Sequence, residues 1–273
     1  MMARRIGCGR TSLAFLAIFS FGVSAARVWA DEPVIRTVEV VSDPYMIDRK
    51  YPLMEGPMIH QRAPFPNGQS PELLWIVEAS GEVVDPLGQT PRPEFLCHGF
   101  LALDLQRTSH ELHDRFFGGA TRLLDDGGHL FGFCPGRIVT SFPNGFGIPI
   151  LSNEPLIAQA MFANQFAEEP VPVRVKWTFR YVLNRDLQRP LKPLFVRVEC
   201  VRTDVGLHFV VKPGRQVNRT VVTRKLALPR DTTLHYIGSH LHAFGESVAL
   251  RDVTTGQTLF TSHAIPFPAR PDI

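Results

Sequence analysis

His240 and His242 are separated by one residue within Leu234–Asp252, LHYIGSHLHAFGESVALRD. Side chains two apart on a strand point to the same face. A strand here would set two imidazoles side by side, able to hold one metal ion. His235 lies at an odd offset from both and is expected to face the other way. Gly245 follows, and lets the chain turn or another backbone approach closely. A bare His-x-His also fits ordinary surface or core histidines. What singles this one out is its apolar setting, after a proline turn at Leu228-Pro229-Arg230-Asp231. Neutral imidazole suits Cu, Zn, Fe and Ni alike, so residue type does not name the metal.

A second candidate lies in Phe95–Leu105, FLCHGFLALDL, where Cys97 and His98 are adjacent. Neighbours on a regular strand face opposite ways, so both can reach one ion only at a bulge or bend. Gly99 makes such a distortion feasible. Taken alone, the pair reads as a buried cysteine beside a satisfied histidine. The third candidate is Met161 in Ile157–Asn164, IAQAMFAN. Its thioether can ligate Cu(I), although a lone Met in an apolar strand is ordinarily core filler.

Other chemistries lack their parts. Ser239 adjoins His240, but no Gly-x-Ser-x-Gly nucleophile elbow is present. Gly118-Gly119 and Gly127-Gly128 lack the spacing and the Lys of a phosphate loop. Asn218-Arg219-Thr220 matches a glycosylation acceptor, relevant only to a eukaryotic secretory route.

Residues 1–30 read as a secretory signal peptide. Arg4, Arg5 and Arg10 precede an uncharged run, Thr11 to Ala26, and Val28-Trp29-Ala30 offers a cleavage site, with Ser24-Ala25-Ala26 as a second. The run is short for a bilayer span of roughly 20 residues, so no membrane span is expected after cleavage. The protein is expected to be secreted or periplasmic, beginning near Asp31. The chain has 29 Lys and Arg against 26 Asp and Glu. Loss of Arg4, Arg5, Arg10 and Arg27 leaves 25 against 26, a net −1. The mature chain therefore carries no electrostatic case for nucleic acid. Cys97, Cys134 and Cys200 remain; in an oxidising compartment one pair can close a disulfide, and the spacing does not say which.

The elements that must position these residues are strands. Pro (23) and Gly (21) punctuate short apolar runs, and no long amphipathic helix is evident. Candidate strands are Val34–Val41, Leu73–Glu78, Glu94–Leu105, Ile157–Asn164, Val171–Leu183, Leu194–Arg202, His208–Val211, Arg219–Leu228, Thr233–His242 and Glu246–Asp252. Val171, Val173, Val175 and Trp177 share one face, with Arg174 and Lys176 opposite. Such spacing predicts an all-β, antiparallel sandwich or barrel. Arg107–His129 is polar and Gly-rich and reads as an irregular excursion. The polar, Pro-containing stretch 185–193 reads as a linker between an N-terminal β domain, 31–184, and a C-terminal one, 194–273.

In order, these segments resemble the copper type II, ascorbate-dependent monooxygenases, the family of peptidylglycine hydroxylating monooxygenase and dopamine β-monooxygenase. The likeness runs from about Glu94 to Asp252. His240-Leu241-His242-Ala243-Phe244-Gly245 resembles the family's His-x-His-x-x-Gly strand, after a Val211-Lys212-Pro213-Gly214 turn and Leu228-Pro229. The resemblance implies two tandem jelly-roll-like β-sandwich domains. It implies one copper held at Cys97-His98 and Met161, where the family has three His. A second copper, at His240 and His242, would need a downstream Met. No Met follows Met161, so the C-terminal domain is expected to be incomplete, with His263 the nearest substitute ligand. The implied function is O2-dependent C–H hydroxylation, with copper as cofactor, ascorbate or another reductant as co-substrate, and a small-molecule or peptide substrate that the sequence does not identify. The alternative is a non-catalytic extracytoplasmic copper-binding or copper-handling protein of the same fold, which Cys/His/Met ligation favours.

Overall fold

The computed structural model describes residues 33–51, 55–63, 70–104, 128–135, 138–194, 196–199, 210–226, 232–242 and 244–264, all within one compact unit, Pro33–Ile273. The chain is all-β. The larger sheet is built from β1 (Arg36–Val41), β2 (Tyr45–Ile47), β4 (Leu73–Val84), β7 (Val139–Ser141), β8 (Phe146–Leu151), β10 (Val171–Leu183) and β11 (Lys192–Pro193). Its order is β1-β10-β4-β8-β11, with β2 also on β10 and β7 also on β4. The smaller sheet runs β3-β9-β5-β6, from β3 (Met58–Arg62), β5 (Leu96–Leu103), β6 (His129–Phe133) and β9 (Leu156–Phe162). A separate hairpin joins β12 (Ser247–Arg251) to β13 (Thr258–His263).

The period-two pattern of β10 produces its burial. Val173, Val175, Trp177 and Phe179 are fully buried, while Arg174, Lys176 and Arg180 line the other face. Lys176 and Arg180 meet Glu82 and Glu78 of the neighbouring β4 at 2.8 and 3.1 Å. The two sheets pack face to face. Phe131 of β6 meets Phe179 of β10 edge-on, with ring centres 5.8 Å apart. Phe133 is held tighter still. A Cβ at Gly81 of β4 would fall 2.4 Å from its ring, and one at Gly99 of β5 would fall 2.1 Å from it. Two glycines, one in each sheet, thus make room for one phenyl ring between the layers.

Several sequence expectations meet differences. β4 extends six residues beyond the predicted Glu78, through Ser80 and Gly81 to Val84. Arg219–Leu228 was expected as a strand; Thr223–Leu226 is a single helical turn. Thr233–His242 was expected as a strand, yet among the described residues 232–242 joins no ladder. The stretch 185–193 lies against the larger sheet: Asn184–Asp186 form a 3-10 turn, Asn184 accepts a bond from the Trp75 indole at 2.9 Å, and β11 pairs parallel with β8. Residues 1–30 and 200–209, Cys200 among them, lie outside the described residues. Among the described residues, no helix is long and apolar enough to cross a membrane.

Candidate metal centre

β5 carries Cys97 and His98, and its pairing with β9 is irregular at that point. Leu96 is opposite Phe162, but His98 is opposite Met161, so β5 spends two steps where β9 spends one. Cys97 is the extra residue of a β-bulge, the distortion that two adjacent ligands require. The bulge leaves the Cys97 Sγ 3.2 Å from the His98 Nδ1. Cys97 is buried and His98 half-buried.

The segment 232–242 supplies the second half. Tyr236 contacts Thr140 of β7 at 3.3 Å through its hydroxyl and lies edge-on to Phe142. His235 packs on Phe146 of β8, with ring centres 4.3 Å apart. These contacts carry the chain to the smaller sheet, where the His240 ring lies 5.9 Å from that of His98. His242 lies beside His240, ring centres 4.7 Å apart. The two come together without the strand that their spacing was read to require, and His235 occupies a separate contact.

One ligand atom from each of Cys97, His98 and His240 lies within 4.8 Å of the others. A three- or four-coordinate ion with metal–nitrogen distances of about 2.0–2.1 Å and metal–sulfur of about 2.3 Å separates its donors by roughly 3.3–3.9 Å. Closing the difference takes a small inward movement of His240, which is exposed. A thiolate with two neutral imidazoles fits copper or zinc. His98 is held in the ligating form. Burial, with the His242 and His129 rings adding repulsion, pushes His98 down to about 4. Burial lowers His242 as well.

Met161 is directly opposite His98 on β9 and half-buried. His263 lies in β13, opposite Ser247. Two neighbours were missed in the sequence: His129, on β6 opposite Ala102, and Met58, on β3 opposite Met161. Both sit on strands whose short or Gly-rich sequences carry weak alternation. Neither Cys97 nor Cys134 is in a disulfide. No family model, curated protein or solved structure matches the chain.

Proposed function

We propose that this chain is an exported, extracytoplasmic copper-binding protein whose metal centre is Cys97, His98 and His240, with His242 alongside. The observation that carries it is the gathering of one thiol and two imidazoles, from segments more than 140 residues apart, within 4.8 Å of one another. One thiolate donor favours copper or zinc over harder ions, and the bulge at Cys97 brings two adjacent donors to 3.2 Å of one another. Copper titration tests the reading. The protein should bind one equivalent, and Cys97→Ser, His98→Ala and His240→Ala should each weaken binding at least tenfold. Unchanged affinity in the triple variant would overturn it.

A second reading is a copper monooxygenase-like enzyme with two tandem jelly-roll-like domains, performing O2- and reductant-dependent hydroxylation. What supports it is the resemblance carried by Cys97-His98, Met161 and His240/His242, although Cys97, His98 and His240 gather at one place where the resemblance implies two separate coppers. Bound copper would supply the redox chemistry. This chain's residues would hold it with a thiol and neutral imidazoles and leave His240's side open to solvent. Ascorbate-dependent O2 consumption by the copper-loaded protein, lost in His98→Ala and exceeding that of an equal amount of free copper, is the expected result. Its absence leaves the binding reading as the function.

A further inference from the structure

The outer face of the smaller sheet holds a row that the centre above does not use. Met58 of β3 is paired with Met161 of β9, and Met161 is paired in turn with His98 of β5. Residues directly opposite on antiparallel strands point to the same side, with Cβ atoms about 4.5–5.5 Å apart. Gly99, next to His98, faces Phe133 in the core, so His98 and its row face outward. Two thioethers and an imidazole therefore stand side by side across three strands.

Packing does not account for the row. Met58 is 41% exposed, and Met161 is half-buried in a strand whose alternate residues Ala158, Ala160 and Phe162 fill the core. An exposed thioether beside a half-buried one is a soft, uncharged donor pair. Such soft, uncharged donors suit Cu(I).

We propose that Met58 and Met161 form a Cu(I)-selective thioether position that receives the ion at the rim of the sheet and hands it along the row to His98. The inference rests on the reading of Cys97, His98 and His240 as the resident centre, and adds the oxidation state and the route of entry. The surface end of the row is Met58; the inner end is the imidazole already 3.2 Å from the Cys97 sulfur. No electron moves in the transfer: Cu(I) exchanges a thioether for a nitrogen or sulfur donor.

The test is anaerobic competition for Cu(I) against a chromophoric Cu(I) chelator, run beside Co(II) titration followed through its thiolate absorption. Met58→Leu, Met161→Leu and the double variant keep volume and apolarity, and Met58→Leu alters an exposed residue. The double variant should take Cu(I) from the chelator at least tenfold more slowly or more weakly, with Co(II) affinity within twofold of the parent. Unchanged Cu(I) uptake and affinity would overturn the thioether position while leaving the resident centre standing. Loss of Co(II) and Cu(I) binding together in the double variant, with Met58→Leu like the parent, would overturn it too, by making Met161 a structural residue. Should the parent bind Cu(I) through the methionines but show no thiolate band with Co(II), the resident centre fails and the thioether pair stands alone.

Discussion

Cys97 and His98 can act together only because the backbone gains one residue between Leu96 and His98. A regular strand would send the thiol into the core and the imidazole to the surface. With the bulge the two adjacent donors converge instead, and burial keeps His98 free of a proton. The partner imidazole differs in kind: His240 is exposed and belongs to a segment with no ladder among the described residues. His242 lies beside it but outside the group of three whose donors converge. The two histidines should therefore not be equivalent, although their spacing makes them look so. Calorimetric copper titration of His240→Ala is expected to show at least a tenfold loss of affinity, and His242→Ala less than a tenfold loss with stoichiometry retained. The reverse order would mean that His242 is the ligand and His240 its neighbour.

The sheets set the position of the bulge, and Gly99 is where this can be probed. A Cβ there would meet the Phe133 ring at 2.1 Å and the Gln159 carbonyl at 2.7 Å. Neither can yield easily, because the ring is wedged against Gly81 on its other side. Gly99→Ala is expected to cost about 1–3 kcal/mol and to weaken metal binding, read by denaturant unfolding and copper titration. A variant of parental stability would show that the sheets separate freely. The outer face of the larger sheet offers an electrostatic counterpart. Glu78 of β4 accepts bonds from Ser141 of β7 at 2.6 Å and Arg180 of β10 at 3.1 Å. The Ser141 bond first, and Arg180 with it, hold its carboxyl below the ordinary 4.5 despite partial burial. A lowered folded pKa stabilises the fold above the unfolded value and loses that contribution as pH falls through the folded one. Glu78→Gln is thus expected to be less stable than the parent by about 1 kcal/mol at pH 7, with the gap closing below about pH 4; a gap independent of pH would count against the linkage. These elements differ in how legible they were. β10 was legible because one face is buried along its whole length, so Val173, Val175 and Trp177 alternate strictly with charges. Adjacency showed only that Cys97 and His98 could share one ion if the strand bulged or bent, and the strand does bulge there. β3 was not legible, because MIHQR has no fully buried residue and only Ile59 as an apolar contact with the core, and with it Met58 stayed hidden. Thr233–His242 misled because its alternation is satisfied by packing against Thr140, Phe142 and Phe146 rather than by a ladder.

Across the whole molecule, the first expectation concerns export, read from residues 1–30. Sequencing the amino terminus of extracytoplasmic protein should find Asp31, or a start near Ala26, and recovery of intact Met1 from the cytoplasm would remove the signal-peptide reading. The second concerns the tie between distant segments. Cys97 and His98 belong to a strand locked on both sides by β6 and β9, whereas 232–242 is held by side-chain contacts such as those of His235 and Tyr236. Segments with few ladder bonds open at lower free energy than strands within sheets. An ion shared between His98 and His240 would close that segment onto the sheet, and anything binding the folded form alone stabilises it by mass action. At a free copper concentration a hundredfold above Kd the gain is about 2.7 kcal/mol. For a chain of this size each kcal/mol corresponds to roughly 2–4 °C in Tm. Copper should therefore raise the melting temperature by roughly 5–10 °C and protect 232–242 from proteolysis. At the same copper concentration a tenfold weaker site keeps about half of that gain, so His240→Ala should at least halve the melting shift and remove the protection of 232–242, while leaving the apo melting temperature close to the parent's, since His240 is exposed. Undiminished stabilisation in His240→Ala, with cleavage at 232–242 unaltered by copper, would place the ion within the sheet alone and cut the link between the two segments.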